Sequence, residues 1–299
     1  MNTNKNTLNV LENVNNLVTQ YTFDNFCVGE ENELEVSIAN QFAEANSNYH
    51  MLLAYGDSGS GKTHLINAIG NKISESHPSA KIVYTTASHF CDQIQDAVIR
   101  NASSQFRKYY QTQDVLILDD LQELSEKQSC QKQLVTIVNE LLKREALVVI
   151  SCNVHPSYLK EVDDTLIHQI NNGVLIELNK GNSEQHIAIL KKENERLSGY
   201  ISLDNIKIIA ESDCSIFEKL GCLKTLIAYN DAANGKLDGS LAQLIISRTL
   251  NIPSEREKKL WEKFINKAKS VIADAQVCWL NGLRIKSLRD GKLVVEAPS

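Results

Sequence analysis

The chain of 299 residues is long enough for one full α/β domain with smaller domains beside it, since domains typically hold about 100–200 residues. Hydrophobic residues make up 42% and charged residues 23%, and no apolar run approaches the roughly 18–20 residues that a membrane helix needs. The formal net charge of −6 argues against a strongly basic nucleic-acid binder, because phosphate affinity comes from clustered Lys and Arg.

The first 20 residues are polar and rich in asparagine, with no apolar stretch behind a basic start. An export signal would need that apolar stretch, so residues 1–20 are predicted as a flexible tail on a cytoplasmic protein with no membrane partner. The seven cysteines are scattered and never spaced as C-x-x-C, which indicates neither a zinc site nor a disulfide framework.

Five short apolar runs follow along the chain, separated by stretches of helical length. They are MLLAY (51–55), KIVYTT (81–86), DVLILDD (114–120), LVVISC (147–152) and VLIEL (174–178). Strands that are apolar on both faces and alternate with helices form a parallel sheet that is covered on both sides. Residues 21–182 are therefore predicted as a three-layer α/β domain.

Two smaller domains are predicted after the α/β domain. Residues 183–250 carry apolar residues at helical spacing, which predicts a small helical domain. The segment 254–299 follows a break at NIPSE and is predicted as a small module of helix and hairpin, with Asp290-Gly291 at the turn. One face of its helix carries four apolar residues: Trp261, Phe264, Ile265 and Ala268.

The segment GDSGSGKT matches the phosphate-binding pattern G-x-x-x-x-G-K-[ST] and lies between a predicted strand and a predicted helix. Glycines let the backbone wrap around phosphates, and amide groups at a helix N-terminus face the negative charge. Lys62 is predicted to reach the β- and γ-phosphates of ATP or ADP, and Thr63 to hold Mg²⁺. The predicted cradle consists of Gly56, Asp57, Ser58, Gly59, Ser60, Gly61, Lys62, Thr63 and His64.

Two adjacent acids end the buried strand VLILDD. Asp119 is predicted to face the metal ion and Asp120 the attacking water, as acids at a strand end do in phosphoryl transfer. Asn153 ends the next strand and is a candidate for orienting the same water. The alternative is that Asn153 simply terminates its strand.

Four consecutive segments resemble sequence boxes of the bacterial replication initiator DnaA family, whose members are AAA+ ATPases. These segments are YTFDNFCVGEEN, GDSGSGKTHLINAIGN, AVIRNASSQFRKYYQTQDVLILDDLQEL and HIAILKKENERL. The resemblance runs from Tyr21 to Tyr229. It implies an AAA+ P-loop sheet followed by a helical lid, in a protein that binds ATP or ADP with Mg²⁺ and acts in DNA replication initiation or its regulation.

The resemblance also assigns contacts to individual residues. Four residues ahead of the first strand would pack around the adenine: Tyr21, Phe23, Phe26 and Val28. The segment from Ser88 to Tyr110 would be the helical insertion by which initiators contact single-stranded DNA. Its basic residues Arg100, Arg107 and Lys108 are candidates for phosphate contact, and a solvated helix face is the alternative.

Two arginines that the family uses in hydrolysis are replaced in this chain. By the resemblance, the arginine finger supplied by a neighbouring subunit falls on Gln169, and the arginine of the lid falls on Phe217. No arginine occurs between Arg144 and Arg196 or between Arg196 and Arg248. Because an arginine finger accelerates phosphoryl transfer by on the order of 10³–10⁵, nucleotide binding with weak intrinsic hydrolysis is expected.

The segment after Pro253 does not resemble the family's helix-turn-helix domain, so no sequence-specific binding of the origin-box duplex is expected. It is similar instead to the initiator's N-terminal interaction domain, with Trp261 and Trp279 at its two tryptophans. That likeness implies docking on a replication initiator or a replicative helicase, together with self-association into a homo-oligomer. A helical hairpin that only caps the lid is the alternative.

Three functional hypotheses follow from these patterns. The first is a nucleotide-dependent replication factor, which Lys62, Thr63 and the paired acids favour. The second is a non-hydrolysing adaptor that keeps its nucleotide as a structural ligand, which Gln169 and Phe217 favour. The third is a helicase-loader-type ATPase, which shares the P-loop and the paired acids, although YTFDNF favours the initiator branch.

Overall fold

The computed structural model of the protein describes residues 15–44, 49–252, 255–269, 283–289 and 292–296. The chain divides into two compact units, Met1–Gly181 and Asn182–Ser299. We call the first the α/β unit and the second the C-terminal unit. Each unit packs its own hydrophobic core.

The α/β unit contains a five-stranded parallel sheet in the order β2-β3-β4-β1-β5. The strands are β1 (Met51–Tyr55), β2 (Ile82–Thr86), β3 (Val115–Asp119), β4 (Leu147–Cys152) and β5 (Val174–Glu177). Each begins and ends within one residue of its predicted run, and β3 and β4 are buried along their whole length. The predicted α/β fold with a parallel sheet is confirmed.

Helices cover both faces of this sheet. They are α1 (Glu33–Phe42), α2 (Lys62–Ser76), α3 (Ala87–Ile99), α4 (Ser103–Gln111), α5 (Gln128–Lys143) and α6 (Asp164–Asn171). Residues of α1 and α2 fill the core on one face, and residues of α3 to α6 fill the core on the other. Since all five strands are parallel, their carboxyl ends lie at one edge of the sheet, where the loops of the candidate site follow them.

The α/β unit begins before the predicted boundary, which corrects the flexible tail predicted over residues 1–20. Val18 donates its N–H to Oδ1 of Asn67 at 2.9 Å, and its carbonyl accepts from Asn71 at 2.9 Å. Leu17 is buried in the core on the α2 face of the sheet. Two asparagines of α2 thus hold the backbone of this segment, whereas the earlier part of the tail lies outside the described residues.

The C-terminal unit begins with α7 (Ser183–Arg196), α8 (Leu203–Ala210), α9 (Ile216–Ala232) and α10 (Gly239–Thr249), which share one core. Helices α7 and α9 both start with a reciprocal capping box, in which the side chains of the cap residue and of the third helical residue bond each other's backbone. These four helices are followed by α11 (Glu255–Lys269) and an antiparallel hairpin of β6 (Arg284–Arg289) and β7 (Lys292–Glu296).

The predicted apolar face of α11 is only partly covered. The rings of Trp261 and Phe264 stack with centroids 5.4 Å apart, and Phe264 is exposed. Ile265 and Ala268 are half-buried. The predicted turn pair Asp290-Gly291 and the second tryptophan, Trp279, lie outside the described residues. Every helix in the described ranges is too short or too polar to cross a lipid bilayer.

A buried lysine and a histidine lie together in the core of the helical bundle. Lys219 is 3% exposed, and its Nζ donates to the carbonyl of Ala210 at 2.7 Å and lies 2.9 Å from Nδ1 of His186. Burial, and then the neighbouring ammonium, lower the pKa of His186. Burial likewise lowers the pKa of Lys219. The lowered pKa favours the neutral imidazole, which accepts a hydrogen bond from the ammonium.

Acid is expected to destabilise the C-terminal unit through this pair. Because the folded pKa of His186 lies below the ordinary value of 6.5, the unfolded chain binds the proton first, and stability is lost as the pH falls below that value. Hydrogen exchange of the α7 and α9 amides, corrected for its intrinsic pH dependence, measures this between about pH 7.5 and pH 5.5. In His186→Gln the loss should be smaller, and an equal loss in both chains would refute the assignment.

Candidate functional site

The loop between β1 and α2 depends on glycine at three positions. Gly56, Gly59 and Gly61 have φ angles of +147°, +84° and +96°, which side-chain-bearing residues rarely adopt. A Cβ atom on Gly56 would lie 2.1 Å from the carbonyl oxygen of Leu178. The backbone therefore turns sharply out of β1 and enters α2 at Lys62, as a phosphate cradle requires.

Lys62 lies inside this loop rather than in solvent. Its side chain is 7% exposed, and Nζ donates to the carbonyls of Gly56 and Asp57 at 2.8 Å each. Burial lowers the pKa of Lys62, and the neighbouring charges of Asp120 and Asp119 oppose that shift. The carboxylate of Asp57 pairs with Lys180 at 3.1 Å.

A buried hydroxyl within the loop is left without a partner. Ser60 Oγ is buried and, among the groups that the structure describes, receives no hydrogen bond and makes none. Buried polar atoms are nearly always paired, so this oxygen is suited to a ligand atom in the loop. A buried ammonium, an unpaired hydroxyl and a glycine backbone together fit a polyphosphate group, and Ser58 lies exposed on the outer side of the loop.

Asp119 ends β3 and is 2% exposed. Both of its oxygens accept hydrogen bonds: the hydroxyl of Tyr84 donates to Oδ2 at 2.8 Å, and the hydroxyl of Ser151 donates to Oδ1. Burial, and then the charge of Asp119, raise the pKa of Tyr84, so the phenol keeps the proton that it donates. Two hydroxyl groups thus compensate the burial of this carboxylate.

Asp120 and Asn153 are brought together by a residue that the sequence analysis did not single out. Asp120 has a left-handed backbone with φ +60°, and its N–H donates to Ser151 Oγ at 2.8 Å. Gln122 donates to Oδ1 of Asp120 at 2.8 Å, and its own oxygen accepts from the N–H of Asn153 at 3.1 Å. Gln122 therefore bridges the ends of β3 and β4.

The protein oxygens at the carboxyl ends of the strands are too few to hold a magnesium ion by themselves, but they suit a magnesium ion that is also bound to phosphate. Thr63 lies in the first turn of α2, and Asp119 lies at the end of β3. Within the described residues, no group of three or more His, Cys, Asp or Glu side chains is arranged to hold a metal ion. Mg²⁺ usually takes one or two protein oxygens and completes its shell with water and phosphate oxygens, so these residues fit a metal that arrives with a nucleotide.

Two of the four predicted adenine contacts gather at the start of α2. The ring of Tyr21 stacks on His64 with centroids 4.7 Å apart, and the ring of Phe26 meets His64 edge-on at 5.1 Å. The other two have different surroundings. Phe23 packs against the hydrophobic core, and Val28 is 48% exposed.

The three candidate DNA contacts differ in their surroundings. Arg100 follows the end of α3 and Lys108 lies in α4, and both are exposed. Arg107 is half-buried and donates to Gln133 of α5 at 3.4 Å. Arg100 and Lys108 are therefore the freely accessible cations of the three, and Arg107 also braces α4 against α5.

The two positions where the resemblance places arginines are occupied by uncharged side chains. Gln169 lies near the end of α6, and its amide nitrogen donates to Oδ1 of Asn139 in α5. Its Oε1 atom is buried and, among the described groups, unpaired. Phe217 lies in the first turn of α9 and is 64% exposed.

Comparison with known proteins gives consistent matches. The family model of the bacterial DnaA ATPase domain matches residues 17–177. The chromosomal replication initiator protein DnaA of Borrelia garinii subsp. bavariensis is 30% identical over 236 residues, which cover 78% of this chain and 49% of that protein. The DnaA of Borreliella burgdorferi is 30% identical over 271 residues, covering 79% of this chain and 54% of that protein. The chain thus spans about half the length of these curated relatives.

Solved structures agree with the family match. Domain III of the Thermotoga maritima replication initiation protein DnaA superposes with a TM-score of 0.75 at 28% identity, covering 78% of this chain and 98% of that chain. AMPPCP-bound DnaA from Aquifex aeolicus superposes with a TM-score of 0.68 at 25% identity, covering 87% of this chain and 75% of that chain. With the family model matching more than half of its length, this chain belongs to the DnaA family of AAA+ proteins.

Proposed function

We propose that this protein binds ATP or ADP together with Mg²⁺ and acts in the initiation of DNA replication or in its regulation. The observation that carries the proposal is the loop after β1, where a buried ammonium and an unpaired buried hydroxyl share one glycine backbone. The AMPPCP-bound relative supports a nucleoside triphosphate as the ligand class.

In this proposal, different residues at the carboxyl ends of the strands contact the phosphates, the metal ion and the attacking water. Lys62 exchanges its loop carbonyls for the β- and γ-phosphate oxygens, and Ser60 donates to a phosphate oxygen. Thr63 and Asp119 hold Mg²⁺, which supplies charge neutralisation on the phosphates when bound. Asp120 accepts a proton from the attacking water, and Asn153 orients that water.

The base is proposed to lie against the aromatic cluster at the start of α2. Tyr21 and Phe26 already enclose one side chain there, the imidazole of His64. An adenine is a flat aromatic ring and stacks on such side chains as the imidazole does here. Phe23, half-buried against the core that contains Phe26, is proposed to border the base, and Val28 is proposed to contribute less because it is exposed.

Intrinsic hydrolysis is proposed to be weak. The amide of Gln169 carries no charge and is already bonded to Asn139, and the exposed ring of Phe217 can donate no hydrogen bond. Neither side chain can neutralise the charge that develops on the transferred phosphoryl group, and losing an arginine finger costs on the order of 10³–10⁵ in rate. A partner protein that supplies an arginine would restore turnover.

The partners are proposed from the family and from the exposed groups. Arg100 and Lys108 are proposed to contact single-stranded DNA phosphates, and the segment 254–299 to dock on a replication initiator or a replicative helicase, or on a second copy of the chain. We do not propose that the chain binds the origin-box duplex sequence-specifically. A non-hydrolysing adaptor is the second candidate function, and the bonded amide of Gln169 is the observation that favours it.

The first test is the nucleotide carried by the purified full chain, followed over time with ATP and Mg²⁺, with and without a replication initiator. Retention of intact ATP by the chain alone and cleavage on adding the initiator are expected. Tightly held nucleotide that no partner cleaves would favour the adaptor. Absence of bound nucleotide, together with no binding of added ATP, would refute both candidates.

Restoring an arginine at the finger position is expected to raise turnover in an assembled state. Gln169→Arg adds the missing charge to α6, and a gain of roughly tenfold or more in ATP hydrolysis is expected at concentrations where chromatography shows assembly. His168→Arg is the control, since it adds the same charge at the neighbouring exposed position. An assembled Gln169→Arg chain with no gain would show that this position does not face a neighbouring site.

A further inference from the structure

The carboxylate of Asp119 is tied by hydroxyl groups to two different strands. Ser151 in β4 donates to Oδ1, and Tyr84 in β2 donates to Oδ2 at 2.8 Å. The oxygen of Ser151 also accepts from the N–H of Asp120 at 2.8 Å, so the main chain fixes this hydroxyl beside the carboxylate. Tyr84 approaches instead from the last strand on that side of the sheet.

Strand β2 leads into helix α3 without a loop. The strand ends at Thr86 and the helix begins at Ala87. Thr86 is also the N-cap of α3, since its hydroxyl oxygen accepts from the N–H of His89 at 3.2 Å. In the parallel pairing of β2 and β3, Thr86 is the register partner of Asp119. The start of α3 therefore lies beside the metal-side carboxylate, with no flexible segment between them.

Strand β2 is an edge strand of the sheet. In the sheet that the structure describes, β2 pairs with one strand, β3, and lies at the end of the order. Its other side is bonded at Tyr84, whose N–H donates to the carbonyl of Asn15 at 3.1 Å. An edge strand has fewer neighbours to resist a displacement than the central strands β3, β4 and β1.

We propose that the hydroxyl of Tyr84 is a positioning group that links the metal side of the nucleotide site to helix α3. The inference rests on the proposed binding of nucleotide with Mg²⁺. The carboxylate of Asp119 adjusts when the site fills with the metal-bound nucleotide, and the phenol bonded to it follows. The end of β2 carries this adjustment to the first turn of α3. Tyr84 acts through Asp119 and is not itself a ligand of the nucleotide.

The variant Tyr84→Phe removes the hydroxyl and keeps the ring. Hydrogen exchange of the α3 amides is measured on the full chain in three states: without nucleotide, with a non-hydrolysable ATP analogue in EDTA, and with the same analogue and Mg²⁺. In the wild-type chain we expect Mg²⁺ to change the exchange rates of the first turns of α3 several-fold. In Tyr84→Phe we expect that response to disappear.

Nucleotide affinity gives a second readout in the same conditions. A fluorescent ATP analogue should bind Tyr84→Phe in EDTA within about twofold of wild type, which also shows an intact fold. The additional affinity that Mg²⁺ confers should fall by roughly ten- to a hundredfold, the size of one lost hydrogen bond to a charged group.

Two further variants test whether the α3 response depends on the Tyr84 hydroxyl in particular or on any hydroxyl at the carboxyl ends of the strands. Ser151→Ala removes the other donor to Asp119, from a strand that does not continue into α3, so it should lower the Mg²⁺-dependent affinity and keep the α3 response. Tyr55→Phe removes a hydroxyl that donates to Glu177 at 3.3 Å at the same edge, and it should change neither.

The outcomes are distinguishable. A wild-type-sized α3 response in Tyr84→Phe overturns the inference, and so does an equal loss of that response in Tyr55→Phe. If the wild-type chain binds nucleotide and α3 does not respond to Mg²⁺, the link is refuted and the proposed function stands. If the wild-type chain binds no nucleotide in any condition, the proposed function fails and the inference fails with it.

Discussion

Lys62→Ala is expected to lower the affinity for ATP and ADP by roughly a hundredfold or more. The ammonium is held by two loop carbonyls at 2.8 Å, so it is placed for phosphate oxygens before any nucleotide arrives. Replacing carbonyl acceptors by anionic oxygens strengthens both hydrogen bonds, and a charge-assisted bond contributes about 1.5–3 kcal/mol. Isothermal titration calorimetry with ADP, with and without Mg²⁺, measures the change.

The loss must be distinguished from a disordered loop. Lys62→Gln keeps a donor for the loop carbonyls and removes the charge, so it should lose nearly as much affinity as the alanine variant. Lys180→Ala removes an exposed lysine that pairs with Asp57 of the same loop, and it should bind within about threefold of wild type. Nucleotide affinity that survives in both Lys62 variants would refute the phosphate cradle.

Gly56→Ala is expected to destabilise the α/β unit by roughly 3 kcal/mol or more. The added Cβ would lie 2.1 Å from the carbonyl oxygen of Leu178, which is backbone and cannot rotate away, and the φ angle of +147° is unfavourable for alanine. For a unit of this size such a loss corresponds to a fall of roughly 6–12 °C in its melting temperature.

Thermal unfolding by circular dichroism measures the fall in melting temperature. Hydrogen exchange of the β1 amides shows that the α/β unit is the one destabilised. Ser58→Ala is the matched control, because Ser58 is exposed in the same loop and its substitution should cost less than about 0.5 kcal/mol. If Gly56→Ala had the same melting temperature as Ser58→Ala, the close approach of the β1–α2 loop to the carbonyl of Leu178 would be refuted.

The strands of the sheet could be predicted from the sequence because each is a continuous apolar run between polar segments. Parallel strands are buried on both faces, so their hydrophobicity does not alternate and the run marks the strand directly. The phosphate loop could be predicted for a similar reason, since Gly56, Gly61 and Lys62 carry their roles in a fixed local spacing. Local patterns were sufficient for these features.

The contacts around Asp119 could not be predicted in the same way. Ser151 lies in a strand whose other residues are apolar, and Tyr84 lies in a strand that also carries Thr85 and Thr86, so neither hydroxyl has a local signature of function. Their meaning comes from register, which places Thr86 beside Asp119 and the end of β4 beside the end of β3. Register is set by packing across the whole sheet.

The contacts that hold the start of the α/β unit could not be predicted from local sequence either. Its sequence is polar and resembles a tail, and the amides that hold it belong to Asn67 and Asn71, some fifty residues further along the chain. Buried asparagines in a helix give no sign of which backbone they bond. The fold shows which backbone groups they hold, and so places the segment around Val18 in the α/β unit.

The bond between Asn15 and Tyr84 has a consequence for solubility. An edge strand with open N–H and C=O groups is a template for pairing with the edge of another molecule, which is the first step of β-aggregation. Asn15 lies at this edge, where its carbonyl accepts from the N–H of Tyr84. Asn15 therefore covers one of the open hydrogen-bonding groups of β2. A recombinant fragment that starts at Tyr21 would lack Asn15 and would expose this edge strand to pairing with other molecules.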